Sequence, residues 1–226
     1  MTAFKRNVLV ACLLFQCSIA RGKEPDHLLP VNLTDHPGYR ALIRKKLETT
    51  PFDCGRLVIL PSFDNERSIS IYRSGSKMKG EIYLLSCIEA HNTLWGVSEG
   101  GKAPNRGLKV GTRKTDLVIP KITADVLKQA LAAMLAETRD LSRQERPKFI
   151  TMEGSETEFS LPSMNGSVMR GSLGQFQPFG AKVRRLQAVV DKLKAYCDSP
   201  RASRPDLLKG IERDSRELLT LCRKAE

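Results

Sequence analysis

The amino-acid sequence predicts an α+β fold, an antiparallel sheet formed by a meander and a later hairpin and packed by about four helices, the last two a C-terminal pair. Three observations carry this. Ser68-Ile69-Ser70-Ile71-Tyr72 alternates strictly, as does a strand with one face on a core. Apolar residues recur at three-four spacing in two successive segments at the end of the chain. Between apolar runs, residues 61–67 and 74–80 are rich in turn formers, which favours neighbouring antiparallel strands.

The first 20 residues have the layout of an export signal. Lys5 and Arg6 precede an apolar stretch at 8–15, and Ser18 and Ala20 fit the minus-three and minus-one positions of a signal-peptidase site. The apolar segment breaks at Gln16 and falls short of the roughly 20 residues that cross a bilayer. A lipid-anchored start at Cys17 would want a small residue before it, where Gln16 stands. Cleavage after Ala20 is therefore expected, with residues 1–20 as signal peptide, Arg21 as the first mature residue and a periplasmic or secreted location. No later segment is apolar enough to span a membrane.

Residues 21–36 carry two prolines and no sustained period, and read as an extended arm laid on a single domain at 37–226. Asp26 beside His27 and Asp35 beside His36 suggest metal ligands, but adjacent side chains diverge in an extended chain. Asp35 is better explained as the cap of a helix opening at Pro37. That helix runs to about residue 48, with Tyr39, Leu42, Ile43 and Leu47 on one face.

Strands follow at 57–60, 68–72 and 81–88, forming the meander, and 93–97 and 112–120 are expected to add two more. A helix capped by Thr123 runs to about residue 138, its stripe of Val126, Leu127, Ala130, Leu131, Met134 and Leu135 facing the core. Residues 148–152 and 157–161 read as a hairpin around 153–156, and 167–171 as a further strand. The terminal helices carry Val183, Leu186, Val190, Leu193 and Cys197, then Leu208, Ile211, Ser215, Leu218 and Cys222. Ser203 and Asp206 suggest a capping box between them.

Removing the signal takes away two basic residues and no acidic one, so the net charge of +12 becomes +10. That surplus favours anionic surfaces, and nucleic acid is the least available of these to an exported protein. No run of five like charges occurs, so the basic residues are spread as a solvated surface. Four cysteines remain, Cys54, Cys87, Cys197 and Cys222, an even count in an oxidising compartment and at spacings that match no zinc pattern. In a meander Cys54 and Cys87 are expected at opposite ends of the sheet. In an antiparallel helix pair Cys197 and Cys222 stand about 25 Å apart. Bridges, if formed, are then expected to be crossed: Cys54 with Cys222 and Cys87 with Cys197, or the other crossed pairing.

No catalytic, metal or cofactor constellation stands out. The glycine-rich segment 164–174 lacks the phosphate-loop arrangement, and neither a nucleophile elbow nor a zinc-protease motif occurs. Ser172 reads as a turn serine rather than a nucleophile. Glu153 and Glu156 read as solvated hairpin residues rather than a glycosidase pair. Trp95, in HNTLWG, is the residue best suited to anchor a partner, with Asn92, Lys102 and Arg106 beside it and residues 98–107 as a long loop.

The combination CGRLVILPSFDNERSISIYRS, NTLWG, ITADVLKQALAAMLAETR, MEGSETEFSL, GSLGQFQP and a helix ending AYC resembles a family of small exported bacterial proteins of unknown function, over about residues 50–197. The resemblance implies an α+β fold and no activity. The favoured function is binding of a protein or an anionic envelope component. The rival is a hydrolase acting on cell-envelope material through a site assembled only in the fold.

Overall fold

The computed structural model describes residues 24–32, 36–61, 64–75, 81–98, 110–142, 144–145, 155–163, 165–174 and 179–224. The segment read as an export signal, Asp35, Lys102, Arg106, the strand expected at 148–152 and Glu153 lie outside them.

Six strands form one antiparallel sheet: β1 (Gly55–Leu60), β2 (Arg67–Ser74), β3 (Ile82–Ala90), β4 (Thr112–Ile119), β5 (Glu156–Pro162) and β6 (Val168–Gly174). Their order is β4-β3-β2-β1-β5-β6. The first four follow the chain as a meander, and a β5–β6 hairpin then adds to the free side of β1. The helices are α1 (Pro37–Lys46), α2 (Leu94–Ser98), α3 (Lys121–Ala136), α4 (Ala181–Asp198) and α5 (Arg204–Arg223), the last two joined through a 3-10 turn at Arg201–Ser203. The fold is α+β with a C-terminal helix pair.

Alternation along the strands gives the sheet two faces. On the first, Leu57, Ile69, Leu85, Leu117 and Phe159 pack with Leu127, Leu131 and Met134 of α3, Val183, Leu186 and Leu193 of α4, and Ile211 and Leu218 of α5. On the second, Val58, Leu60, Ile88 and Ala90 pack with Tyr39, Ile43 and Leu47 from α1 and the residue after it, Leu94 of α2, and Val110. β1 is buried at all six positions because both cores need it.

The helix pair is tied together by Asp214. Its carboxylate is fully buried and accepts hydrogen bonds from Arg185 Nη1 at 3.2 Å, Arg213 Nε at 3.2 Å and Lys192 Nζ. Burial opposes its charge, but the Lys192 and Arg213 bonds outweigh burial and hold the carboxyl below its usual range.

The described part of the N-terminal arm closes the molecule. Leu28 is fully buried, and Leu29 exchanges backbone hydrogen bonds with Ser172 at the β6 edge, at 2.9 and 2.7 Å. Asp26 Oδ1 accepts the backbone N–H groups of Lys182 at 2.7 Å and Val183 at 3.2 Å, so the arm caps α4 from 156 residues away in sequence. Gly180 permits this approach: a Cβ there would stand 2.4 Å from the Asp26 carboxyl.

Several local expectations need correction. Residues 94–98 form a helix, not the strand expected at 93–97, because Glu66 caps them. Pro120, not Thr123, holds the N-cap of α3, and the Thr123 hydroxyl donates instead to Glu212 of α5. Ser203 makes no side-chain cap, so the capping box is not formed. β5 pairs on one side with β1 and on the other with β6, the latter through a turn in which Gly166 takes φ 82°.

If Asp26 is the cap of α4, Asp26→Ala should lower stability to urea by about 0.5–2 kcal/mol. Gly180→Ala should cost a similar amount by displacing the same carboxylate. The double variant should fall well short of the sum, as expected for one shared interaction. Additive losses would show that Gly180 and Asp26 act separately.

Candidate functional site

Helix α2 is five residues long, too short to stand without tertiary support. The support comes from Glu66, which is fully buried. Its Oε2 accepts the Leu94 N–H at 2.7 Å, and its Oε1 accepts the Trp95 N–H and the Tyr39 hydroxyl, each at 3.0 Å. A negative charge is favoured at this end of a helix, where backbone N–H groups lack partners. Burial and the adjacent Glu66 charge push the Tyr39 phenol well above its usual range, so it remains a donor.

With Leu94 turned inward and fully buried, the next side chain turns out. Trp95 is 38% exposed. Its ring meets His36 edge-on at 4.6 Å between centroids and Tyr39 edge-on at 5.1 Å. His36 sits in the N-cap position of α1 with φ 51°. Asn92 is exposed in the bend before α2. The next turns of α1 expose Arg44 and Lys45, and Lys46 Nζ donates to the Val110 carbonyl at 3.1 Å. The outcome is a partly exposed indole set against two aromatic rings, on a helix whose start is held by a buried carboxylate.

A second concavity lies under the arm. It is about 140 Å³, mostly apolar, and lined by residues that include His27, Leu141, Ser172 and Phe179. The His27 ring is buried, with Nδ1 3.0 Å from the Leu28 carbonyl and Nε2 3.4 Å from Glu145 Oε1. Both nitrogens face acceptors other than the Ser172 hydroxyl. Ser172 itself belongs to β6, where its backbone holds the arm. Among the described residues lining it, His27 and Ser172 form no hydrogen bond with each other. Glu145 accepts from the Ser142 hydroxyl at 2.5 Å and from both Arg139 Nη atoms, at 3.1 and 3.2 Å. Those bonds bring its carboxyl down to about 2.

Other sequence candidates are dispersed. Asp26 is committed to α4, and Glu156 lies in β5 opposite Leu60. Residues 165–174 form a turn and strand β6. Among the described residues no group of three or more His, Cys, Asp or Glu is placed to hold a metal, and no helix is long and apolar enough to cross a membrane.

Cys54, Cys87, Cys197 and Cys222 are not joined by disulfides in this structure. Cys54 and Cys87 are not at opposite ends of the sheet, as the sequence suggested. Cys54 donates its backbone N–H to Ile71 and Cys87 stands opposite Ile69, because β1 starts halfway along β2. Strand spacings still separate them by about 14 Å, beyond disulfide reach. Burial raises the Cys54 thiol to about 11. Cys222 Sγ lies 3.8 Å from Met134 Sδ.

Glu66, Tyr39 and His36 were missed as site residues. Glu66 lies in a polar turn between strands, 28 residues before the helix it caps, where periodicity carries no signal. Compared with protein-family models, curated proteins and solved structures, the chain matches none.

Glu66→Ala should cost about 2–5 kcal/mol, since it strands two backbone donors and a phenol in a buried site. It should also shift the emission of the single tryptophan to the red. An unchanged spectrum would show that Glu66 does not position Trp95. A second prediction concerns pH. Glu145 has a folded-state value of about 2 against an ordinary 4.5. Its contribution is therefore complete above 4.5 and lost as pH falls toward about 2. Glu145→Gln should weaken the neutral-pH fold and flatten this part of the acid unfolding curve. An acid limb as steep as that of the parent protein would assign the loss to other carboxylates.

Proposed function

We propose that the protein is an exported binding domain, working in the periplasm or outside the cell, that docks an anionic component of the bacterial envelope through Trp95. The observation that carries this reading is the fixed, partly exposed indole. Aromatic anchors bind well when their rotamer is already set, because little side-chain entropy is then lost on contact. The positive charge of the chain supplies attraction to anionic surfaces, with Arg44 and Lys45 exposed on the helix that supports Trp95. The resemblance to small exported bacterial proteins and the signal-like first 20 residues agree with this setting.

The protein has one tryptophan, so its fluorescence reports on this site alone. Vesicles containing phosphatidylglycerol should move its emission to the blue, and phosphatidylcholine vesicles should not. Raising salt to about 1 M, where the Debye length falls to about 3 Å, should reverse the effect. In co-sedimentation, Trp95→Ala should weaken vesicle binding by about 30-fold, as for an interface anchor worth roughly 2 kcal/mol. Unchanged retention of a folded Trp95→Ala protein would remove Trp95 as the anchor. Equal binding to both vesicle types would remove the anionic ligand.

A further inference from the structure

The C-terminal end of α4 is docked on the sheet beside β3. Arg67 of β2 donates to Glu89 Oε1 at 2.7 Å and to Asp198 Oδ2 at 2.8 Å, so one guanidinium joins the sheet to the last residue of α4. Arg113 of β4 adds a 2.6 Å bond to Glu89. Two residues before Asp198, the Tyr196 hydroxyl donates to the Val118 carbonyl at 3.2 Å. Between these two attachments lies Cys197, packed against the core cluster that contains Cys87. Cys87 projects from β3 on the same face, two residues before Glu89. The two thiols approach closely enough to hydrogen-bond.

We infer that Cys87 and Cys197 form a disulfide that staples the C-terminal helix pair to the middle of the sheet. The fold brings together this one of the crossed pairings, with Arg67–Asp198 and Tyr196–Val118 setting the approach from either side. The pair is also asymmetric. The hydrogen bond from the Cys197 thiol, assisted by the Arg67 charge, lowers Cys87 below the ordinary thiol range, and the same bond keeps Cys197 protonated.

With glutathione disulfide as oxidant the chemistry balances. One of the two cysteines gives up its proton and attacks one glutathione sulfur, which breaks the glutathione S–S bond and expels a thiolate that takes that proton. The thiolate of the other cysteine then attacks the protein sulfur of the mixed disulfide. The protein disulfide forms, the second glutathione leaves, and it takes up the proton lost by that second cysteine. Two protein thiols are oxidised and one glutathione disulfide is reduced to two thiols.

The test is to purify the chain under reducing conditions, equilibrate it with glutathione disulfide, and map peptides without reduction. The expected result is a linked peptide pair containing Cys87 and Cys197 and lacking two hydrogen atoms, with Cys54 and Cys222 still alkylated after unfolding. The oxidised protein should melt about 5–15 °C higher than the reduced protein, as expected for a bridge closing a loop of this length. Cys197→Ser should abolish both the linked peptide and the shift. Cys87 and Cys197 that both remain free to alkylation, a link to Cys54 or Cys222, or a link without a change in melting would each overturn the inference. None of these outcomes depends on Trp95 or on ligand binding.

Discussion

The central strand β1 has no face for water, and the rest of the architecture follows from covering both of its sides. Apolar burial is worth roughly 25 cal/mol per Å², so leaving either side open would forfeit much of the folding energy. Three long helices cover one side. On the other, α1 covers only part of the sheet, and Leu94 must come from a helix too short to form alone. Glu66 resolves this by accepting both backbone donors at the start of that helix. Successive helical residues differ by about 100° in direction. A helix fixed so that Leu94 points in therefore sends Trp95 out, and the proposed contact surface is a consequence of closing the second core.

That core ends at a polar row crossing all six strands. Register aligns Arg170, Ser160, Arg56, Ser70, Ser86 and Asp116 on one face. Arg56 is buried, which is tolerable only where its donors find acceptors. Its Nε reaches Ser70 at 3.1 Å, Nη1 reaches Glu48 at 2.9 Å, and Nη2 reaches the Thr50 carbonyl. The guanidinium also lies 4.0 Å over the Phe52 ring. A slip of one residue would bring Leu57, Ile69 and Leu85 into this row and send Arg56 into the other core. The polar row thus fixes strand register as firmly as the apolar rows do.

The parts of this structure legible in the sequence are those whose cause is local. The alternation at 68–72 and the turn formers around it identify the meander. The stripe from Val126 to Leu135 identifies α3, and the spacing of Leu186, Val190 and Leu193 identifies α4. What could not be read depends on partners distant in sequence. Residues 93–97 resemble a short strand because nothing nearby caps a helix; the cap is Glu66. Asp26 beside His27 resembles half of a metal site, whereas its partner is the start of α4. Trp95 was identifiable as the single indole in a polar setting, but the aromatic edges that hold it come from His36 and Tyr39 on another element. Asn92 is exposed in the bend just before it, whereas Lys102 and Arg106 lie outside the described residues.

The sheet's two edges are protected in different ways. An open edge offers unpaired backbone groups to any other strand. β4 answers with side chains: Thr112, Arg113, Lys114 and Asp116 are all exposed. The β6 edge is partly buried, and the arm covers it through Leu29 while Asp26 caps α4. One short segment therefore seals an edge and starts a helix, but both of its partners come late in the chain. Until residues 172–183 have been made, the arm has nothing on which to dock. On the proposed export route this order is useful, because a translocating chain has to stay unfolded while its first residues are held at the membrane. The fold closes only when the arm meets β6 and the start of α4, and the contacts that close it are of the long-range kind that form slowly.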